Sequence, residues 1–245
     1  WLSLQYVPFS FQKKGLPFGL AGQLAKIGKG RKWHIMFHEL WVGMDQEAPL
    51  KHKVWGNLQQ YIARKIIKEL AVNNIHTQSR LYQSQLEKIG CIASHLPLFG
   101  NVAVIENKVS AVQTVKKSLD FIVFGTIHPH APVKEFISEL AEYGLTNKLK
   151  IKLNFIGRCG GELNHWLLVG KEQNIEVKVL GEQDTAEISK VLHQADWGIS
   201  TTPWRQIEKS GTVAAMLEHG LNVICVARSW TPDAAIPSSR INGIV

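Results

Sequence analysis

The stretch VKVLGEQDTAEISKVLHQADWGIS, residues 177–200, decides the fold. It opens on an apolar run that closes at Gly181. Asp184 then stands where a helix N-cap belongs, with Glu187 three residues on, the spacing of a capping box. A helix follows, and ADWGIS reads as a second strand. Strand, turn, helix and strand in one short stretch form a βαβ unit, whose two strands lie parallel in one sheet.

The same alternation extends on both sides. Upstream, DFIVFGTI (120–127) is a strand ending on Gly125, and APVKEFISELAEYG (131–144) is a helix with Pro132 in its first turn. KIKLNFIGR (150–158) is a strand and GELNHWLLVGKE (161–172) a helix. Downstream, KSGTVAAMLEHG (209–220) is a helix and LNVICVA (221–227) a strand. The first part repeats the rhythm. WLSLQYV (1–7) reads as a buried strand, LAGQLAKIG (20–28) as a helix and WHIMFH (33–38) as a strand. KVWGNLQQYIARKIIKEL (53–70) is a long helix with Val54, Leu58, Ile62, Ile66 and Leu70 on one stripe. VNNIHT (72–77) is a short strand and SRLYQSQLEKIG (79–90) a helix. Residues 97–118 show no clean period and read as a linker. The expected architecture is α/β, with two Rossmann-like domains at 1–112 and 113–245. Parallel sheets are flanked by helices, and the first domain is incomplete.

Bulk properties narrow the classes. A chain of 245 residues, 45% hydrophobic and 20% charged, is ordinary globular composition with room for two modest domains. No window approaches 18 consecutive apolar residues, so no transmembrane helix is expected. Cys91, Cys159 and Cys225 are too widely spaced for a disulfide framework or a zinc site, which fits a reducing, cytoplasmic setting. There is no initiator Met and no leader pattern, and the chain closes abruptly on SSRINGIV, so it reads as truncated at both ends. The net charge of +8 is uneven: residues 1–117 hold 16 Lys and Arg against 6 Asp and Glu, while the remaining 128 hold 12 against 14. The basic part calls for an anionic partner or serves as a solvated face.

Four features in residues 119–228 fall in a fixed order: FIVFGTIHPH, LNFIGR, VKVLGEQDTAEISKVLHQADWGIS and EKSGTVAAMLEHGLNVICV. This order resembles the carboxyl-terminal, nucleotide-sugar-binding domain of the GT-B glycosyltransferases, and among them the large retaining family 4. HGLNVICV matches the close of that pattern, with Asn222 in place of the usual Pro. The resemblance implies a donor site at Gly125, Thr126, Arg158, Lys209, Ser210, Gly211 and Thr212. The chemistry agrees. A diphosphate needs backbone N–H donors at a helix start, and KSGTVAAML offers them with a cation, two hydroxyls and a glycine. A plain helix capped by Ser210 or Thr212 would use the same residues.

Two departures from the family pattern stand out. Its Glu-x7-Glu pair is not cleanly present: the first Glu would fall at Ile207 or Glu208, the second at Ala214 or Ala215, and Glu218 is out of register. Its Arg and Lys after the first strand are replaced by Thr126 and His128, leaving Arg158, Arg205 or Lys209 to neutralise a diphosphate.

In the first domain the resemblance draws attention to IMFHELWVG (35–43). Family members often place a His near the donor sugar after a central strand, which makes His38 a catalytic candidate. Glu39 would orient it or bind an acceptor hydroxyl, and Trp41 would stack on an acceptor sugar. A satisfied core histidine beside a packing Trp41 is the plainer alternative. Ser79 reads as a helix N-cap and Arg80 as a phosphate or acceptor contact. His128 and His130 lack the partners a metal needs, and no metal site is expected, but they read as cleft residues after Gly125. The helix over 51–70 suits either an anionic membrane or the domain core. The implied activity is transfer of a hexose from a UDP- or GDP-linked sugar to a glycan or lipid-linked acceptor in cell-surface polysaccharide synthesis. It would be retaining and metal-independent, with no further cofactor. The expected location is the cytoplasm, with peripheral contact at the inner membrane face. No nucleic-acid-binding module is visible. A non-catalytic Rossmann-like partner protein with a degraded donor site is the competing class.

Overall fold

The structure is a computed structural model and describes residues 1–105, 116–233 and 241–245. The expected boundary at 112/113 lies outside the described residues. The chain divides into two compact units. Among the described residues, unit 1 takes 1–97 and 230–233, and unit 2 takes 98–105, 116–229 and 241–245.

Unit 1 is a four-stranded parallel sheet of β1 (Leu2–Tyr6), β2 (Trp33–Phe37), β3 (Asn74–Thr77) and β4 (Ser94–His95), in that order. The connections hold α1 (Pro8–Phe11), α2 (Leu20–Ile27), α3 (Leu50–Glu69) and α4 (Arg80–Lys88). Every crossover steps in one direction, and right-handed crossovers of this kind place their helices on one face. The burial agrees: Leu4, Tyr6, Ile35 and Phe37 share a core with Ile62, Ile66, Leu81 and Leu86. The opposite face carries Ser3, Gln5, His34 and His76, exposed or half-buried, with Met36 buried between Gln5 and His76. The expectation of a buried first strand is therefore corrected. A parallel strand is apolar throughout only where helices cover both faces.

The apolar stripe expected on α3 also divides. Ile62, Ile66 and Leu70 are buried, together with Gly56, Gln59 and Ala63. Val54 and Leu58 point outward, 55% and 42% exposed. With 3.6 residues per turn, each step of four advances the stripe by about 40° around the helix, so five such residues cannot all face one core. A return segment completes the unit. Asp233 N donates to Met44 O (2.8 Å), Gln46 N donates to Thr231 O (3.0 Å), and Trp230 packs against the core.

Unit 2 is a five-stranded parallel sheet of β5 (Ser118–Phe124), β6 (Lys150–Ile156), β7 (Glu176–Gly181), β8 (Trp197–Ser200) and β9 (Asn222–Cys225), ordered β7-β6-β5-β8-β9. The helices are α5 (Val133–Asn147), α6 (Leu163–Glu172), α7 (Thr185–Gln194) and α8 (Gly211–Glu218), with a 3-10 helix at Trp204–Lys209. Here β5 is buried on both faces. Phe121 and Val123 enter one core with Ile137 and Trp166, and Ile122 enters another with Leu192 and Met216. The βαβ reading of 177–200 holds, and Asp184 Oδ1 accepts from Glu187 N at 2.9 Å. Part of the expected linker belongs to this unit. Gly100 N donates to Glu218 Oε1 (2.9 Å) and Ile105 N to Ser189 Oγ (3.0 Å). Such a strap has no period because it is held by scattered side chains rather than by a ladder.

Candidate functional site

Strand order marks a candidate site in unit 2. From β5 the chain proceeds to β6 and β7 on one side, then returns to β8 and β9 on the other. Loops leaving β5 and β8 therefore diverge, and ligands of such sheets bind in the crevice outside those carboxyl ends. The β5 loop begins with Gly125 and Thr126. The β8 loop begins with Thr201 and leads through the 3-10 helix to α8.

Gly125 has φ +78, and a Cβ there would lie 2.9 Å from Thr212 Cγ2. Glycine serves both needs, a left-handed backbone and close approach to the start of α8. Gly157 (φ +85) lies behind it, and its Cβ would be 3.5 Å from Gly125 Cα. The loops are stitched together. Gly125 N donates to Ile156 O (2.9 Å), Ile127 N to Cys159 O (3.0 Å) and His128 N to Thr201 Oγ1 (2.7 Å). Between the two candidate caps, the structure selects Ser210. Its Oγ accepts from Val213 N at 3.4 Å and lies 3.1 Å from Thr212 Oγ1. Beside Gly211 there is open space for a Cβ. The first N–H groups of α8 have no acceptor within the helix and carry the positive end of its dipole.

Gly125, Ser210, Gly211 and Thr212 thus come together, with Thr126 exposed on the adjoining loop and Lys209 half-buried one residue before the cap. Arg158 is not drawn in: its side chain, 83% exposed, pairs with Glu182 at 2.8 Å. His128, read as a cleft residue, does stand at this loop, joined through its backbone N–H to Thr201, which the sequence reading missed. The polar run STTP at a strand end was the available signal. Glu218, the acid out of register, accepts from Gly100 N. His219 is buried and bonded to Ala215 O (2.7 Å) and Ser189 Oγ (2.9 Å), a structural tie. A separate hollow of about 530 Å³ beside α7 holds Asp120, Lys152, Glu176, Lys178, Glu187 and Lys190. Its charges balance, so it offers an anion no net attraction.

In unit 1, His38 directly follows β2. Its N donates to Tyr6 O (3.1 Å), and its Nε2 meets Gln5 Oε1 at 2.6 Å. Gln5 Nε2 donates to Ser3 Oγ (2.8 Å), Ser3 Oγ meets His34 Nδ1 (2.8 Å), and His34 Nε2 meets His76 Nδ1 (3.0 Å). The pattern is consistent in one direction, with each of the three imidazoles protonated at Nε2. That leaves His38 Nδ1 as an acceptor. Burial, then the positive charge available to His76, holds His34 below the usual imidazole range. Glu39 is exposed. Trp41 is a correction: it is 5% exposed and part of the unit 1 core, so its ring has no free face for a sugar. Ser79 caps α4 as expected, its Oγ accepting from Tyr82 N at 3.3 Å. Arg80 opens that helix beside a hollow of about 460 Å³ lined by Gln83, Ser84, Glu87 and Cys91. Among the described residues no group of three or more His, Cys, Asp or Glu side chains could hold a metal ion, and no helix is long and apolar enough to cross a membrane.

No family model and no curated protein matches the chain. Solved structures do resemble it. MnaA with UDP from S. aureus matches at 10% identity and a TM-score of 0.47, over 94% of this chain and 57% of that one. HepE from Anabaena, in complex with UDP and glucose, matches at 15% identity and 0.45, over 87% and 57%. A structure of accessory secretory proteins 1, 2 and 3 from Streptococcus pneumoniae matches at 13% identity and 0.49, over 93% and 40%. The chain spans little more than half the length of the first of these. The functional reading rests on the residues described above.

Proposed function

We propose that this chain takes part in sugar transfer from a nucleotide-diphosphate donor, UDP- or GDP-linked, with unit 2 as the donor-binding half. One observation carries the reading: at the switch point of the sheet, Gly125 brings the β5 loop against the Ser210-capped start of α8. A diphosphate there would accept from the free N–H groups of Gly211 and Thr212, and the dipole would favour its charge by about 0.3–1 kcal/mol or somewhat more. Lys209 would add a cation and Thr126 a hydroxyl. Retention of configuration, independence of metal, a hexose as the transferred group and a glycan or lipid-linked acceptor belong to the same proposal, supported by the family resemblance of residues 119–228. His38 is the group proposed to serve the transferred sugar, through the nitrogen that its bond to Gln5 leaves open. Glu39 and Arg80 are the acceptor-side candidates.

Calorimetry or thermal shift with UDP-, GDP- and ADP-sugars tests the donor half, and stabilisation by none of them sinks it. His38→Ala is expected to leave donor binding intact and to lower turnover. A second reading, a binding protein without turnover, is favoured by one observation: Glu218 is engaged with Gly100 rather than open to a ribose. Donor binding without transfer or donor hydrolysis, in wild type and His38→Ala alike, would establish that reading instead.

A further inference from the structure

The face of the unit 1 sheet turned away from its helices carries two imidazoles and a thioether at neighbouring positions. Side chains alternate along β2, so Ile35 and Phe37 enter the core while His34 and Met36 face the other way. His76 of β3 stands opposite Met36 in the ladder, and His34 stands opposite Asn74, two residues before His76. His34 Nε2 lies 3.0 Å from His76 Nδ1, with the ring planes at 64° and the centroids 5.1 Å apart. Metal–nitrogen bonds of about 2.0–2.1 Å set two ligating nitrogens about 2.9–3.4 Å apart, between a right angle and a tetrahedral one. The pair is thus already spaced as two ligands of one ion. Both imidazoles are half-buried, which gives an ion access from solvent, and Met36 is buried between Gln5 and His76.

We propose that His34, His76 and Met36 form a binding site for Cu(I). His76 carries its proton on Nε2 and leaves Nδ1 open, the tautomer that ligates. His34 has only to shift its proton from Nε2 to Nδ1. Ser3 Oγ, 2.8 Å from Nδ1, then accepts that proton and holds the ring, as the outer partner of a ligating histidine does. Ser3 keeps its bond from Gln5 Nε2 and turns its own hydroxyl proton to solvent, so no net proton is released. Two neutral imidazoles and a thioether make a soft, uncharged set, which selects Cu(I); Zn(II) sites close with a fourth ligand and favour thiolate, imidazole or carboxylate. Met36 supplies the third ligand that His, Cys, Asp and Glu do not provide here. The ion would be joined to His38 through Ser3 and Gln5, and the proposal does not depend on the transferase reading.

The test is competition of the full chain with bicinchoninate for Cu(I), without oxygen and in ascorbate. One equivalent is expected to bind through these residues. His34→Asn and His76→Asn should each weaken it at least about tenfold, the least that losing even an outer partner costs a metal site. Met36→Leu removes the sulfur at nearly constant volume and should weaken Cu(I) while leaving Zn(II) binding unchanged. His193→Asn, from the imidazole pair with His219 in unit 2, should change nothing. In the wild type itself, imidazole nitrogen NMR should show the His34 proton move from Nε2 to Nδ1 as Cu(I) is added, a change that a merely structural hydrogen bond does not make. Equal uptake by wild type and both histidine variants overturns the proposal, because the thiols would then hold the ion. So does a His34 tautomer that Cu(I) leaves unchanged, or a Met36→Leu variant with full Cu(I) affinity.

Discussion

Gly125→Ala isolates the contact on which the candidate site depends. The substitution introduces two separable penalties. Holding alanine at φ +78 costs about 1–2 kcal/mol, the left-handed penalty of an L-residue. Its methyl would also lie 2.9 Å from Thr212 Cγ2, well inside the ~3.5–4.0 Å of a relaxed carbon contact. Overpacking of that kind costs about 1–3 kcal/mol. The single variant should therefore lose about 2–5 kcal/mol by these two contributions, read as a fall in the urea midpoint at constant slope. Thr212→Ser removes the methyl being struck and keeps the hydroxyl near Ser210. Alone it should cost about 0.5 kcal/mol, at the low end for a methyl deletion because Thr212 is half-buried. Combined with Gly125→Ala, it should return the packing penalty and leave the backbone one. The expected coupling is about 1 kcal/mol or more, beyond the ~0.3–0.5 kcal/mol within which independent sites add. A coupling inside that band, or a Gly125→Ala variant as stable as wild type, would refute the packing of the β5 loop on α8 and with it the geometry proposed for the donor.

The two capped helices of unit 2 should respond unequally: Asp184→Ala, losing a 2.9 Å cap, should cost about 1 kcal/mol, and Ser210→Ala, losing a 3.4 Å one, about 0.5. Urea midpoints check the order. His34 has a depressed folded pKa, so its contribution to stability is present above the unfolded value of 6.5 and is lost as pH falls below it. His34→Asn should flatten that acid limb in denaturation curves taken on either side of pH 6.5, and an unchanged limb would contradict the assignment. Burial pushes the Cys225 thiol up to about 11 and raises Cys91 and Cys159 as well, so a disulfide reagent should find all three slow at neutral pH in the folded protein and fast in urea. Arg158→Ala should weaken donor binding in calorimetry while Glu182→Gln should not, and an Arg158→Ala variant that binds normally would remove that side chain from the site.

The fold was legible wherever a local signal and the tertiary environment agreed. Residues 177–200 announce a strand, a capped helix and a strand, and Asp184 caps as read. The short elements were silent: PFSF at 8–11 makes a single turn, Ser94–His95 only two residues of β4, and WRQIEK a 3-10 helix, none long enough to show a period. For β1 the signal was present. Leu2, Ser3, Leu4, Gln5 and Tyr6 alternate apolar and polar, the mark of a half-covered strand, and the structure leaves Ser3 and Gln5 on the polar face.

Half of the candidate site was legible for a chemical reason. Residues 209–212 are contiguous, so a helix start with its glycine and hydroxyls is written in the sequence itself. The parts supplied across the fold were not: Thr201 reaches the His128 N–H 73 positions away, and Glu218 is claimed by Gly100 across 118. Arg158 shows why proximity in sequence does not settle a role either. It follows Gly157, which lies against Gly125, yet its guanidinium turns to Glu182. An ion pair so exposed contributes about 0–1 kcal/mol, because water screens it and two long side chains lose freedom in making it. A diphosphate offers two negative charges and several acceptor oxygens, and bidentate contact with a guanidinium is stronger than such a surface pair. Glu182 therefore holds Arg158 only weakly against a bound donor. The sequence therefore shows that the acid of the family pattern is missing at Ala214 and Ala215, whereas a part for Arg158 turns on whether a ligand can displace Glu182 from its guanidinium.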